Sequence, residues 1–191
     1  MDDTTLIVFD LEATCWDIQT KGLGSPEASK QRNEMEIIEI GAVKVNLYNY
    51  EPIDTFQIFA QPVLNPNLSE FCRTLTTIKQ SDVSKALLFR DVYPKFIEWA
   101  GNPTYFVGWG QYDYNQIASD CDRWGLTPFP ADKYVNGKVL YKQLTGRRGK
   151  GLSKAVKHYR LEFEGTHHRA ISDAIMTAKV LKNAFLENNK R

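Results

Sequence analysis

Two carboxylates follow an apolar run near the start of the chain. The run 6–9 leads directly into Asp10 and Glu12, and its composition is typical of a buried strand. Side chains alternate along a strand, so both carboxylates project from the same face, where the chain leaves the core. Their repulsion and the cost of burying them are unfavourable unless a cation lies between them. The stretch therefore predicts one half of a metal site.

Three residues further along the chain could complete this site. Asp113 follows an apolar segment and stands in the first turn of a predicted helix, where a carboxylate could also serve the helix dipole alone. His168 and Asp173 lie at the start of the last predicted helix. Five residues span about 140° around a regular helix, so both reach one pocket only if His168 lies on the preceding loop. A capping or surface role is the alternative for His168.

The elements that must position these side chains follow from the apolar pattern. After the first strand, further strands are predicted over 37–45, 53–60, 105–109 and 133–136. Helices are predicted over 88–100, 112–124, 139–144 and 152–159, and from the segment around His168 onwards. The spacing of Phe71, Leu75 and Ile78 predicts another helical segment. The polar stretch 17–34 is longer than a hairpin needs, and we expect it to lie over the site.

Composition limits the class of protein. With 191 residues and 42% hydrophobic content, the chain is expected to form a single domain over 1–191. It shows neither a secretory signal nor a run of membrane-spanning length, so we expect a soluble cytoplasmic protein without a membrane partner. Cys15, Cys72 and Cys121 have no disulfide-framework or zinc-site spacing and are expected in or near the core.

Basic residues are concentrated in one segment although the net charge is only +1. From Lys138 to Arg160 no acidic residue interrupts a series of lysines and arginines. The segment is either a solvated face or a positive track for a phosphate backbone. The second interpretation gains weight if the carboxylate site acts on phosphates.

Taken in order and context, these segments resemble the DnaQ-like 3′-to-5′ exonucleases of the DEDDh type. The resemblance spans the whole chain and rests on the stretches 9–15 (FDLEATC), 36–43 (EIIEIGAV), 109–113 (WGQYD) and 168–170 (HRA). They are most similar to the branch that trims histone messenger RNA and small interfering RNA. One departure is Thr77, where members often have glycine in a Leu-Thr-Gly-Ile motif.

This resemblance implies an α/β, ribonuclease H-like fold with a mixed five-stranded sheet flanked by helices. It also implies a two-metal hydrolysis of phosphodiesters, with Mg²⁺ or Mn²⁺ as cofactors, that releases nucleoside 5′-monophosphates. Asp10 is assigned as the bridging ligand, Glu12 and Asp173 to the water-activating metal, and Asp113 to the periphery of the metal site. His168 is the expected general base. On an extended approach, His167 would point to the opposite side and face solvent or support the turn.

The implied partner is single-stranded RNA, or alternatively DNA, with a free 3′ end. Backbone amides near Ala13 and Thr14 are candidates for holding the terminal sugar. Candidate side chains for the terminal nucleotide and the phosphate backbone are Trp16, Leu75, Thr76, Trp109, Arg147, Arg148 and Lys150. Two other functions remain open. One is a DNA exonuclease in repair or proofreading, and the other is a regulatory binding protein, against which the intact acidic set argues.

Overall fold

A six-stranded mixed sheet forms the centre of the protein. The computed structural model describes residues 4–17, 34–149 and 151–190. The strands are β1 (Thr5–Ala13), β2 (Ile37–Asn46), β3 (Pro52–Gln61), β4 (Leu87–Leu88), β5 (Tyr105–Gly108) and β6 (Tyr134–Asn136). Their order is β4-β3-β2-β1-β5-β6. Strands β1, β2 and β3 are antiparallel, β5 and β6 continue parallel to β1, and β4 runs parallel to β3.

The predicted fold class is confirmed, but the predicted strand count of five was wrong. The sixth strand, Leu87–Leu88, pairs with Ala60 and Gln61 at the edge of the sheet. Two residues are too few to leave a periodic signal in the sequence. Leu88 had been predicted to open a helix, and it is instead the extended residue that precedes the helix.

Helices cover both faces of the sheet. In the described residues they are α1 (Glu70–Thr76), α2 (Gln80–Val83), α3 (Phe89–Ala100), α4 (Tyr112–Trp124), α5 (Gly137–Thr145), α6 (Leu152–His158) and α7 (Ala170–Asn188). The helical segment predicted around Leu75 ends at Thr76 because Thr77 is left-handed, with φ of 60°. Among the described residues, no helix has both the length and the apolar character needed to cross a membrane.

The alternation of β1 divides the core into two layers. Ile7 and Phe9 pack on one face of the sheet in the cluster that includes residues of α3 and α4. Val8 packs on the opposite face in the cluster that includes residues of α7. Because side chains two residues apart share a face, Asp10 and Glu12 project towards the α7 side.

Gly41 allows α7 to begin directly against the sheet. In the antiparallel register Gly41 is the partner of Asp10. A Cβ atom at Gly41 would lie only 2.1 Å from the backbone nitrogen of Ile171. Only a residue without a side chain therefore permits this approach. As a result, the first turn of α7, which carries Asp173, lies beside the end of β1.

Candidate active site

The four predicted carboxylates come together at the end of β1. Oxygen atoms of Asp10, Glu12 and Asp173 lie within 4.8 Å of one another. Asp113 stands in the first turn of α4, just after β5, which is the parallel neighbour of β1. Its Oδ2 atom lies 2.8 Å from the position that a Cβ on Gly108 would occupy. The structure thus brings together side chains that are spread from position 10 to position 173.

Burial and mutual repulsion make this cluster unfavourable when all four groups are ionised. The pKa of Asp10 is raised well above its usual range, mainly by burial and then by repulsion from its acidic neighbours. Burial also raises the pKa of Glu12 to about 9 and that of Asp113 to about 7, although Lys138 opposes the second shift. The pKa of Asp173 is raised as well, again mainly by burial. The site therefore holds protons, or a cation, near neutral pH.

One buried oxygen shows that the site fits a cation. The Oδ2 atom of Asp173 accepts the backbone N–H of His168 at 2.8 Å. Its Oδ1 atom is buried and has no hydrogen-bond partner among the residues that the structure describes. A buried carboxylate oxygen without a hydrogen bond is costly. Together with Asp10 and Glu12, it offers the oxygen ligands that Mg²⁺ and Mn²⁺ prefer.

Two histidines lie beside Asp173. The backbone of His168 is left-handed, with φ of 62°, so the approach to α7 is not extended as predicted. The rings of His167 and His168 consequently lie side by side, with centroids 4.1 Å apart. His167 Nε2 is 2.6 Å from Ser153 Oγ, and its ring stacks on Phe163. Within the described chain, the ring of His168 makes no hydrogen bond, and burial lowers its pKa, which favours the neutral, proton-accepting form.

The sequence analysis missed a buried ion pair that holds the start of α7. Glu39 is fully buried and accepts hydrogen bonds from the Arg169 guanidinium at 3.0 and 3.1 Å. It also accepts the backbone N–H of Ala170 at 3.1 Å. The Glu39 carboxylate thus caps α7 at Ala170, three residues before Asp173. It thereby fixes the turn of helix that carries Asp173. The signal available in the sequence was Glu39 itself, a carboxylate inside the apolar strand 37–45 that needs a partner when it is buried.

Two of the predicted substrate contacts are already engaged within the protein. The Thr14 amide, a candidate for the terminal sugar, donates to the carbonyl of Glu36 at 2.8 Å. The Thr76 hydroxyl donates to the carbonyl of Cys72 and accepts the N–H of Ile78, and Thr76 is fully buried. Both groups serve local structure, because the ends of a strand and of a helix leave backbone groups that need partners.

The aromatic and apolar candidates differ in their exposure. Trp109 is buried and packs near Tyr141, with ring centroids 5.9 Å apart, so it belongs to the core. Trp16 and Leu75 are half-buried, and Ala13 is buried at the end of β1. Trp16 and Leu75 therefore remain available to contact a terminal nucleotide.

The basic residues between Lys138 and Arg160 differ in how far their charges are already neutralised within the protein. Arg147 is held by Glu187, whose two carboxylate oxygens lie 2.7 and 2.8 Å from it. Arg148 is exposed and has no ion pair with any described residue, whereas Lys150 lies outside the described residues. A cavity of about 170 Å³ is lined by Tyr141, Arg147, Arg148, Lys154, Ala155 and His158. None of these lining residues is acidic, so the cavity suits an anion.

This sheet order, with acidic residues converging at the end of β1, defines the ribonuclease H-like fold of DnaQ-like exonucleases. The model of the RNase_T exonuclease family matches residues 7–181. The chain therefore belongs to this exonuclease family, and the resemblance predicted from the sequence is confirmed.

Individual relatives agree with this assignment. Human ERI1 exoribonuclease 2 is 29% identical over 91% of the chain, which spans only 27% of that protein's length. The probable 3′-5′ exonuclease KapD of Bacillus subtilis is 32% identical, and the match covers the whole chain and 88% of KapD. The nuclease domain of 3′hExo, a DEDDh family member bound to rAMP, is 26% identical with a TM-score of 0.81. That match covers 94% of this chain and 90% of the other.

Proposed function

We propose that the chain is a divalent-cation-dependent 3′-to-5′ exonuclease. It removes nucleoside 5′-monophosphates from single-stranded nucleic acid and prefers RNA to DNA. The observation that carries this proposal is the convergence of Asp10, Glu12 and Asp173, with the buried Asp113 close enough to raise the pKa of Asp10. One buried oxygen of Asp173 has no hydrogen bond to any described residue. A protein that only binds nucleic acid gains nothing from such a cluster, because it repels phosphate.

Each residue has a distinct part in this proposal. Asp10, Glu12 and Asp173 would hold the cations, and Asp113 borders them. When bound, divalent cations would lower the pKa of an attacking water and stabilise the leaving 3′-oxygen. His168 would act as the proton acceptor of the site, because its ring makes no hydrogen bond to any described residue and its pKa is lowered, chiefly by burial.

His167 is the less suitable base although it also lies beside Asp173. Its Nδ1 atom is 3.8 Å from Asp173 Oδ1, but its Nε2 atom is engaged with the Ser153 hydroxyl. Stacking on Phe163 further fixes the ring. A base must be free to take a proton from the reacting group, so we assign His167 to supporting the turn before α7.

We expect the nucleic-acid strand that leads to the scissile bond to cross the surface around the basic cavity. Arg148 and Lys154 line the basic cavity, whereas Arg147 is partly neutralised by Glu187. Lysine and arginine bind phosphates without reading the bases. We therefore assign strand binding mainly to Arg148 and Lys154, with Arg147 as a fixed wall of the cavity.

RNA is favoured over DNA on the evidence of the relatives. The human relative is named as an exoribonuclease, ERI1 exoribonuclease 2. The 3′hExo nuclease domain was solved with a ribonucleotide, rAMP. A preference for RNA requires a contact with the 2′-hydroxyl. We expect the terminal nucleotide to lie against the half-buried side chains of Trp16 and Leu75.

The test compares matched single-stranded RNA and DNA of one sequence, each labelled at the 5′ end, in Mg²⁺. We expect a ladder of 5′-labelled products that shortens stepwise, faster on RNA, with mononucleotides released. An Asp10→Asn variant should give no ladder. Equal rates on both substrates would overturn the RNA preference. Binding without products, or internal cuts without a ladder, would overturn the exonuclease assignment.

A further inference from the structure

Two cysteines that are far apart in the sequence meet next to the active site. Cys15 follows the end of β1, and Cys72 lies in α1. The Ser69 hydroxyl joins their backbones: it donates to the carbonyl of Cys15 at 2.6 Å and accepts the N–H of Cys72 at 2.9 Å. The Cys72 thiol also lies 3.6 Å from the carbonyl oxygen of Ala13. These contacts fix α1 against the exit of β1.

The side chains of the two cysteines lie in the same apolar region. Cys72 belongs to a small buried cluster, and Cys15 packs against that cluster. Each thiol also shifts the pKa of the other, upwards for Cys15 and downwards for Cys72. Both cysteines are free, as is Cys121. Cys121 belongs to a different core cluster, with α3 and α4, and is therefore a natural internal control.

We propose that Cys15 and Cys72 are a site of oxidative modification, at which a peroxide converts the two thiols into a reversible disulfide. The backbone contacts already hold the pair together, and a disulfide requires neighbouring Cα atoms about 4.4–6.8 Å apart. Cys15 is half-buried, whereas Cys72 has no exposed surface. A peroxide therefore reaches Cys15 first.

The chemistry balances in two steps. In the first step the Cys15 thiol loses its proton, its sulfur attacks one peroxide oxygen, the O–O bond breaks, and a sulfenic acid and one water molecule form. The neighbouring Cys72 thiol and burial raise the pKa of Cys15, so we expect this step to be slow near neutral pH. The Cys72 thiolate then attacks the sulfenic sulfur, the S–O bond breaks, and a second water leaves. The two sulfurs supply the two electrons that reduce the peroxide.

The disulfide would alter the region proposed to receive the terminal nucleotide. Trp16 is adjacent to Cys15, and Leu75 is one helical turn beyond Cys72. Closing the bond draws the sulfurs to about 2.05 Å and removes the Cys72 thiol from the carbonyl oxygen of Ala13. We expect cleavage to slow several-fold, and recovery after reduction. This consequence rests on the proposed function, whereas disulfide formation does not.

The test treats the full chain with hydrogen peroxide, blocks the remaining thiols and maps peptides by mass spectrometry without reduction. We expect one linked pair, Cys15 with Cys72, with Cys121 alkylated, and reversal by dithiothreitol. Cys121→Ser should form the same link, while Cys15→Ser and Cys72→Ala should form none. Thermal melts would establish that each variant is folded. Links to Cys121, or oxidation of Cys15 to the sulfinic acid without a link, would overturn the proposal.

Activity measured on the same samples separates the two claims. If the linked protein cleaves RNA as fast as the reduced protein, the disulfide does not affect the nucleotide pocket. If the reduced protein cleaves nothing, the exonuclease proposal fails, and the mass spectrum still decides whether the modification site exists. Cys121→Ser is the matched control for the effect of peroxide on activity.

Discussion

Replacing Glu12 by glutamine should stabilise the protein in the absence of metal while destroying its activity. Glu12 is buried, and its pKa is raised from an ordinary value of 4.5 to about 9 by burial and by its acidic neighbours. The folded chain therefore keeps this proton over a pH range in which the unfolded chain has lost it. The free energy of unfolding consequently falls as pH rises between these two values. Glutamine has no proton to lose and avoids this penalty.

The size of the effect follows from the difference between the two pKa values. Each pH unit above the unfolded value contributes about 1.4 kcal/mol. At pH 8 the penalty approaches about 5 kcal/mol. Part of this penalty is repulsion that Asp10 and Asp173 can also relieve by keeping a proton. We therefore expect Glu12→Gln to raise the free energy of unfolding by about 2–5 kcal/mol. For a chain of this length, that gain raises the melting temperature by about 5–15 °C.

Thermal and denaturant unfolding with a chelator provide the assay, at pH 8 and again at pH 5. We expect a large gain at pH 8 and one below about 1 kcal/mol at pH 5. Saturating Mg²⁺ should stabilise the wild type more than the variant, because a cation needs the carboxylate. Glu70→Gln, at an exposed position, is the matched control and should change little. A gain that is absent at pH 8, or equal at both pH values, would refute the reasoning.

Three further predictions test other parts of the protein. His168→Ala should lower the cleavage rate by about 10²–10⁴-fold and flatten the acidic limb of the pH–rate profile. His167→Ala should cleave within several-fold of the wild-type rate. If His167→Ala is the inactive variant instead, the roles of the two histidines must be exchanged. Arg148→Ala should raise KM for an oligonucleotide and weaken its salt dependence but spare a dinucleotide, and equal losses on both would place it at the reacting phosphate. Gly41→Ala should lower the melting temperature sharply because its Cβ would clash with the backbone of α7, whereas Gly151→Ala, where the space is open, should not.

Only Asp10 and Glu12 were predicted from their own local pattern, whereas Asp113, His168 and Asp173 were assigned through the resemblance to the exonuclease family. An apolar strand that ends in Asp10 and Glu12 is hard to reconcile with a purely structural role, because buried carboxylates are costly without a cation. The strands near 37–45 and 53–60 carry a clear apolar signal. The structure extends the first by one residue, to Asn46, and the second by one residue at each end, to Pro52 and Gln61. Local pattern is enough where an element is long and its role follows from its own residues.

The remaining features depend on contacts between distant parts of the chain. The ion pair of Glu39 with Arg169 joins residues 130 positions apart. The packing of Cys15 against the cluster that contains Cys72 depends on how α1 is held against the exit of β1. Spacing along the sequence carries no information on such pairs, because they are set by how elements pack.

The turn that carries His167 and His168 shows a different limit of prediction from sequence. An extended approach was predicted because the side chains of successive residues then alternate. His168 instead adopts a left-handed backbone, which lets its N–H reach Asp173 and places both rings on one side. A single residue with positive φ is uncommon outside glycine and is decided by the surrounding contacts.

The central claim is that the carboxylate cluster works by holding divalent cations. The most direct measurement follows the digestion of 5′-labelled RNA after exhaustive treatment with a chelator, during titration back with Mg²⁺ or Mn²⁺, alongside Asp173→Asn. We predict no cleavage without metal, saturable recovery of stepwise 3′-end shortening, and little recovery in the variant. Stepwise cleavage that persists without metal, or that Asp173→Asn performs at the wild-type rate, would contradict this account.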